Sequence, residues 1–120
     1  MSDNERQFRR MWRWIAEETR RQKRHVSKRD YFKAFGIPEW ERPFSKCYAC
    51  EEGRQRARDN DYDVDLMMCD YCPIDWGKCC CTEKGTLYDE WKHTYSYERA
   101  AELAQKIAMM EWREEDERAD

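Results

Sequence analysis

The sequence predicts a mainly α protein: a small single domain of about four helices packed around a cysteine-rich insert, with little or no regular sheet. Three observations predict it. Apolar residues recur at helical spacing near both ends of the chain, serine and threonine capping patterns precede several of those runs, and all seven cysteines fall between positions 47 and 81. A length of 120 residues suits one hydrophobic core. Residues 4–45 are expected to form an N-terminal helical part, 46–84 the cysteine insert, 85–115 a C-terminal helical part and 116–120 a frayed tail.

That core is expected to be thin. Charged residues make up 41% of the chain and the mean hydropathy is −1.25, a balance that usually leaves too little apolar surface to offset ordering entropy. The aromatics counter it. Six Trp, seven Tyr and four Phe can each bury about 150–250 Å². A domain so built gains from a reinforcing cross-link.

The first element is an amphipathic helix over 4–24, because Phe8, Met11, Trp12 and Ile15 recur at i, i+3, i+4 and i+7, with Asp3 or Asn4 as its cap. Trp12 and Trp14, about 200° apart on a helix, cannot both face the core. Next, Ser27-Lys28-Arg29-Asp30 has the form of a capping box and opens a short helix through Tyr31, Phe32 and Phe35, ended by Gly36 and Pro38. The two prolines of PEWERPFSK mark a loop leading to the first cysteine pair. Residues 51–68 read as a solvated excursion, with almost nothing to bury before Leu66 and Met67. Thr86-Leu87-Tyr88-Asp89 is another capping pattern, for a helix carrying Leu87, Tyr88 and Trp91. Ser96 caps a final helix over 97–115, striped by Ala100, Leu103, Ala104, Ile107 and Met110. Trp76 and Trp91 are expected in the core.

Cys47-x2-Cys50, then Cys69-x2-Cys72 after eighteen intervening residues, matches the spacing of tetrathiolate zinc sites. Each two-residue gap lets a tight turn present two thiolates to one ion at about 2.3 Å, and two turns complete a tetrahedron. The expected fold is therefore helices around a zinc knuckle, with one Zn²⁺ per chain as cofactor. Cys79, Cys80 and Cys81 are substitutes for a member of the second pair. A closed four-thiolate shell leaves no position for an activated water, which points to structure rather than catalysis. An odd cysteine count, no apolar leader and no long apolar run lead to the expectation of a reducing, cytoplasmic setting without membrane insertion.

The elements Cys47-Tyr48-Ala49-Cys50-Glu51, Cys69-Asp70-Tyr71-Cys72-Pro73-Ile74-Asp75-Trp76-Gly77, a later cysteine and Tyr88-x2-Trp91 resemble a group of small uncharacterised bacteriophage and prophage proteins. The likeness spans about residues 8–110, and its specific part is C-P-I-D-W with the upstream C-x2-C. It implies a metal-bound phage-type protein in a bacterial host cell, and a cysteine after Trp76 within the site. It brings no activity. The group has one later cysteine where this chain has three.

Other residues invite weaker readings. His25 and His93 stand among charged residues with no nucleophile beside them in sequence, and read as solvent-facing or helix-end side chains. Asp59, Asp61, Asp63 and Asp65 alternate like the start of a calcium loop, but Val64 occupies the place where the turn needs Gly. An acidic loop able to dock on a basic partner is the better reading. Residues 1–43 carry +5 and residues 44–120 carry −8. Arg20, Arg21, Lys23, Arg24, Lys28 and Arg29 form a basic cluster that suits either the helix end or nucleic acid. No nucleophile, phosphate loop or small-molecule site is recognisable. The functional expectation is a non-enzymatic, zinc-stabilised protein that engages a host or phage protein, for example as inhibitor of a host defence nuclease. The alternative is a nucleic-acid-binding accessory or regulatory protein using the 20–29 cluster.

Overall fold

The computed structural model describes residues 2–61, 69–78 and 80–114. Within them lie five α-helices and two short 3-10 turns, with no strand. Helix α1 (Asp3–Gln22) buries Phe8, Met11, Trp12, Ile15, Ala16 and Thr19 along one face. Its cap is Ser2, whose Oγ accepts from the Glu5 N–H at 3.1 Å, and not Asp3 or Asn4. Asn4 instead donates to Glu52 Oε1 at 3.0 Å. The helix stops where Lys23 turns to φ 55° and its N–H bonds the Thr19 carbonyl.

Helix α2 (Lys28–Ala34) opens with a complete capping box between Ser27 and Asp30, and Gly36, at φ +64°, turns the chain after it. The proline segment makes 3-10 turns over Glu39–Glu41 and Phe44–Lys46. In the second, Ser45 and Lys46 both adopt positive φ, 56° and 54°, a conformation disfavoured for residues carrying Cβ.

Helix α3 (Tyr48–Asp59) corrects the expected excursion over 51–68, at least through Asp59. The charged run conceals a face of Ala49, Gly53 and Ala57 that lies against α1 and buries without large side chains. Arg56 joins that face because Glu52 pairs with it at 2.9 Å, both side chains being largely buried. A buried guanidinium is tolerated only with such a partner.

Helix α4 (Leu87–His93) is capped by Thr86, and helix α5 (Tyr97–Ala108) by Ser96. The final helix ends at Ala108, seven residues short of the expected 115. Arg9 supplies the reason: its Nη1 donates to the carbonyls of Ala108 at 2.7 Å and Met110 at 3.0 Å, satisfying the helix end. The chain then folds back, so that Trp112 meets the Phe8 ring at 5.5 Å.

Helix α1 is the hub, packed on α5, α3 and α2, while α4 packs on α5. Trp12 sits fully buried at its centre, edge-on to Trp91 at 4.7 Å, whereas Trp14 is only partly buried, as the helical spacing requires. No helix of the described residues is long and apolar enough to cross a membrane.

Candidate metal centre

Three distant stretches of chain place cysteines around one point beside Trp12. Cys47 occupies the residue before α3 and is buried, so the first amides of that helix, at Ala49 and Cys50, favour its thiolate. Cys50 follows one turn later, half-buried.

Cys72 is positioned by the C-P-I-D-W-G segment. Ile74 is buried in the core, the Asp75 carboxylate accepts from the Gly77 N–H at 2.9 Å, and Gly77 takes φ +82° to complete the turn. That turn returns the Trp76 side chain to hydrogen-bond Cys72. Arg113 holds the segment from the other side, donating to the Cys72 carbonyl at 3.0 Å through Nη2. Cys81 is pinned by α4: the Thr86 hydroxyl that caps the helix also donates to the Cys81 carbonyl at 2.5 Å.

The thiols interact. Cys50 shares hydrogen bonds with both Cys47 and Cys81, which drives its own pKa up while lowering theirs, that of Cys47 to about 6. Lys28 adds a further pull on Cys47 and Cys81 towards the thiolate. Cys72 is raised to about 12, chiefly by burial and also by the proximity of Cys47 and Cys81. Thiols so close and so desolvated disfavour more than one negative charge unless a cation joins them.

Of the predicted set, Cys47, Cys50 and Cys72 are brought together and Cys69 is exposed on the rim of the same cleft, a space of about 420 Å³. Cys81 enters the group as one of the three expected substitutes. Cys80 faces the Thr82 hydroxyl at 3.3 Å, and Cys79 lies outside the described residues. Among the described residues, no group of three or more Cys, His, Asp or Glu is closed into metal-holding geometry. The donor chemistry nevertheless fits a thiophilic divalent ion such as zinc, which Cys47, Cys50, Cys72 and Cys81 would hold.

The other predicted residues separate. Asp59 ends α3 and Asp61 follows it at φ 61°, both exposed, whereas Asp63 and Asp65 lie outside the described residues. The 20–29 basic cluster divides: Arg21 pairs with Glu18, Arg24 with Asp30 at 3.3 Å, and Arg20 and Lys23 are exposed. Lys28 and Arg29 instead line a groove with Lys46 and Lys92. His93 is exposed, but His25 is half-buried with its ring edge-on to Trp91 at 4.9 Å, and burial lowers its pKa. No protein-family model matches the chain, and no curated protein or solved structure is significantly similar to it.

Proposed function

We propose that this chain is a zinc-stapled, non-catalytic binding protein of bacteriophage or prophage type that engages a host or phage protein in the bacterial cytoplasm. One observation carries the reading: thiols from the start of α3, the C-P-I-D-W-G turn and the approach to α4 lie close enough to shift one another's ionisation, those of α3 and of the α4 approach beside Trp12. Four thiolates would close the metal's shell and leave no site for an activated water, so the metal serves as a fastener. A structural zinc can contribute on the order of 10 kcal/mol of apparent binding free energy to folding, which suits a core made from so few apolar residues.

The partner surface of this reading is the acidic stretch that begins at Asp59, just past the exposed Arg58 at the end of α3. Asp59 and Asp61 are exposed there, within the stretch 44–120 whose net charge is −8. Such a surface suits a basic protein face, as on a nuclease of host defence, where opposite charge accelerates encounter. The test uses the zinc-loaded full chain as bait in host lysate, beside a variant with Asp59, Asp61 and Asp63 changed to Lys. Zinc is expected at one per chain, with a host protein recovered by the natural bait only. Metal-free protein of unchanged thermal stability, or equal recovery by the charge-reversed bait, refutes the corresponding half of the proposal.

A further inference from the structure

A groove of about 720 Å³ opens between α2, the Phe44–Lys46 turn and α4. Its cations, Lys28, Arg29, Lys46 and Lys92, come from three separate stretches of chain, and Tyr88 and Trp91 contribute aromatic rings to its lining. No acidic side chain lines it. The carboxylates next to it in sequence are engaged elsewhere. Asp30 accepts from the Ser27 N–H and Arg24, while Asp89 accepts from the Gly85 N–H at 3.3 Å and pairs with His93 at 3.1 Å. Arg29, Lys46 and Lys92 form no ion pair among the described residues, and Lys28 is held over the Tyr88 ring at 4.8 Å while reaching the Ser45 carbonyl at 3.4 Å. Lys46 reaches the groove from a backbone at φ 54°, in the left-handed region.

Lys28 also faces the thiols of Cys47 and Cys81, but Arg29, Lys46 and Lys92 converge here without acidic partners, so they repel one another and are stabilised by an anion. Aromatic rings in the lining distinguish a nucleic acid strand from an acidic peptide, since a base stacks on a ring where a carboxylate gains nothing. We propose that this groove binds single-stranded nucleic acid, with Arg29, Lys46 and Lys92 on phosphates, Lys28 adding positive charge beside them, and a base against the aromatic side chains that line the groove. The site differs from the basic run read in the sequence, of which only Lys28 and Arg29 take part. It is independent of the acidic docking surface, and it requires only that the chain is folded.

The full zinc-loaded chain is titrated into labelled oligothymidylate of about twelve nucleotides at about 50 mM salt, with anisotropy as the readout. Binding is expected, with a log–log salt slope of about −2 to −3 for three or four phosphates. Lys46→Gln with Lys92→Gln should weaken it about tenfold or more and flatten the slope by about 1.4. Arg20→Gln with Arg21→Gln, outside the groove, should leave both unchanged. An abasic strand of equal length should compete about tenfold less well, reflecting loss of stacking. Circular dichroism of each variant separates loss of the fold from loss of the site. No binding by the folded chain, an equal loss in the Arg20/Arg21 variant, equal competition by the abasic strand, or stronger competition by oligoglutamate would each overturn the proposal.

Discussion

At the scale of single residues, the cysteines separate by what holds each sulfur in place. Cys47 and Cys50 are anchored by α3, Cys72 by the turn through Gly77 and Cys81 by the α4 cap, while Cys80 faces Thr82 and Cys69 is exposed at the rim. This ranks the serine variants. Cys50→Ser and Cys81→Ser should each weaken zinc retention by about 100-fold or more, because a neutral hydroxyl replaces a thiolate in a desolvated site. Cys80→Ser should retain one zinc. Competition with a chromogenic chelator measures all three, and full retention by Cys81→Ser would return the fourth position to Cys69. Spacing made Cys47 and Cys50 legible in the sequence, since one helical turn joins them. That Cys81 hydrogen-bonds Cys50 was not legible, because its position depends on Thr86 reaching back five residues.

At the scale of elements, local chemistry was legible wherever a helix is bounded by its own side chains. The Ser27–Asp30 box begins α2 as read, with the Asp30 carboxylate accepting from the Ser27 N–H at 2.9 Å and the Ser27 hydroxyl from the Asp30 N–H at 3.1 Å. Two elements escaped. Helix α3 was hidden because it buries small residues and an ion-paired Arg56 rather than an apolar stripe, and the early end of α5 depends on Arg9, ninety-nine residues away from Ala108. The box also yields a pH dependence. The Ser27 backbone N–H, aided by Ser27 Oγ and Arg24, holds Asp30 below its ordinary value of 3.8. A depressed carboxylate stabilises fully above its unfolded pKa and loses that contribution as pH falls through the folded one. Asp30→Asn should therefore lower the melting temperature at pH 7 by a few degrees, and the difference from the natural chain should vanish as the pH falls through the depressed titration of Asp30. Ser27→Ala, which leaves the carboxylate, should cost about 1 kcal/mol at neutral pH by urea unfolding.

At the scale of the whole molecule, the central helices cohere without the cysteines, and the proposed metal would fasten the rest. Helices α1 and α5 meet directly through Phe8, Ile15, Leu103 and Ile107, all fully buried, and Arg9 ties the end of one to the other. None of those contacts passes through a thiol. Helix α3 has a weaker hold: Tyr48 against Phe32 at its start, then small side chains, one buried ion pair and the Asn4–Glu52 hydrogen bond. Residues 69–78 are held in part by Arg113 and by the buried Tyr71, Pro73 and Ile74. Removing the proposed metal should thus not unfold the chain uniformly, because loss of that cross-link falls on the parts it joins, which have less apolar contact than α1 and α5. Hydrogen exchange after treatment with a strong zinc chelator should show protection lost over Tyr48–Asp59 and over 69–86, and largely retained in the central turns of α1 and α5. Uniform loss would mean that the metal sustains the entire core. Unchanged protection throughout would mean that the thiols lie together without bearing on the fold, and the fastener would have to be sought in the aromatic packing of Trp12 against Trp91 instead.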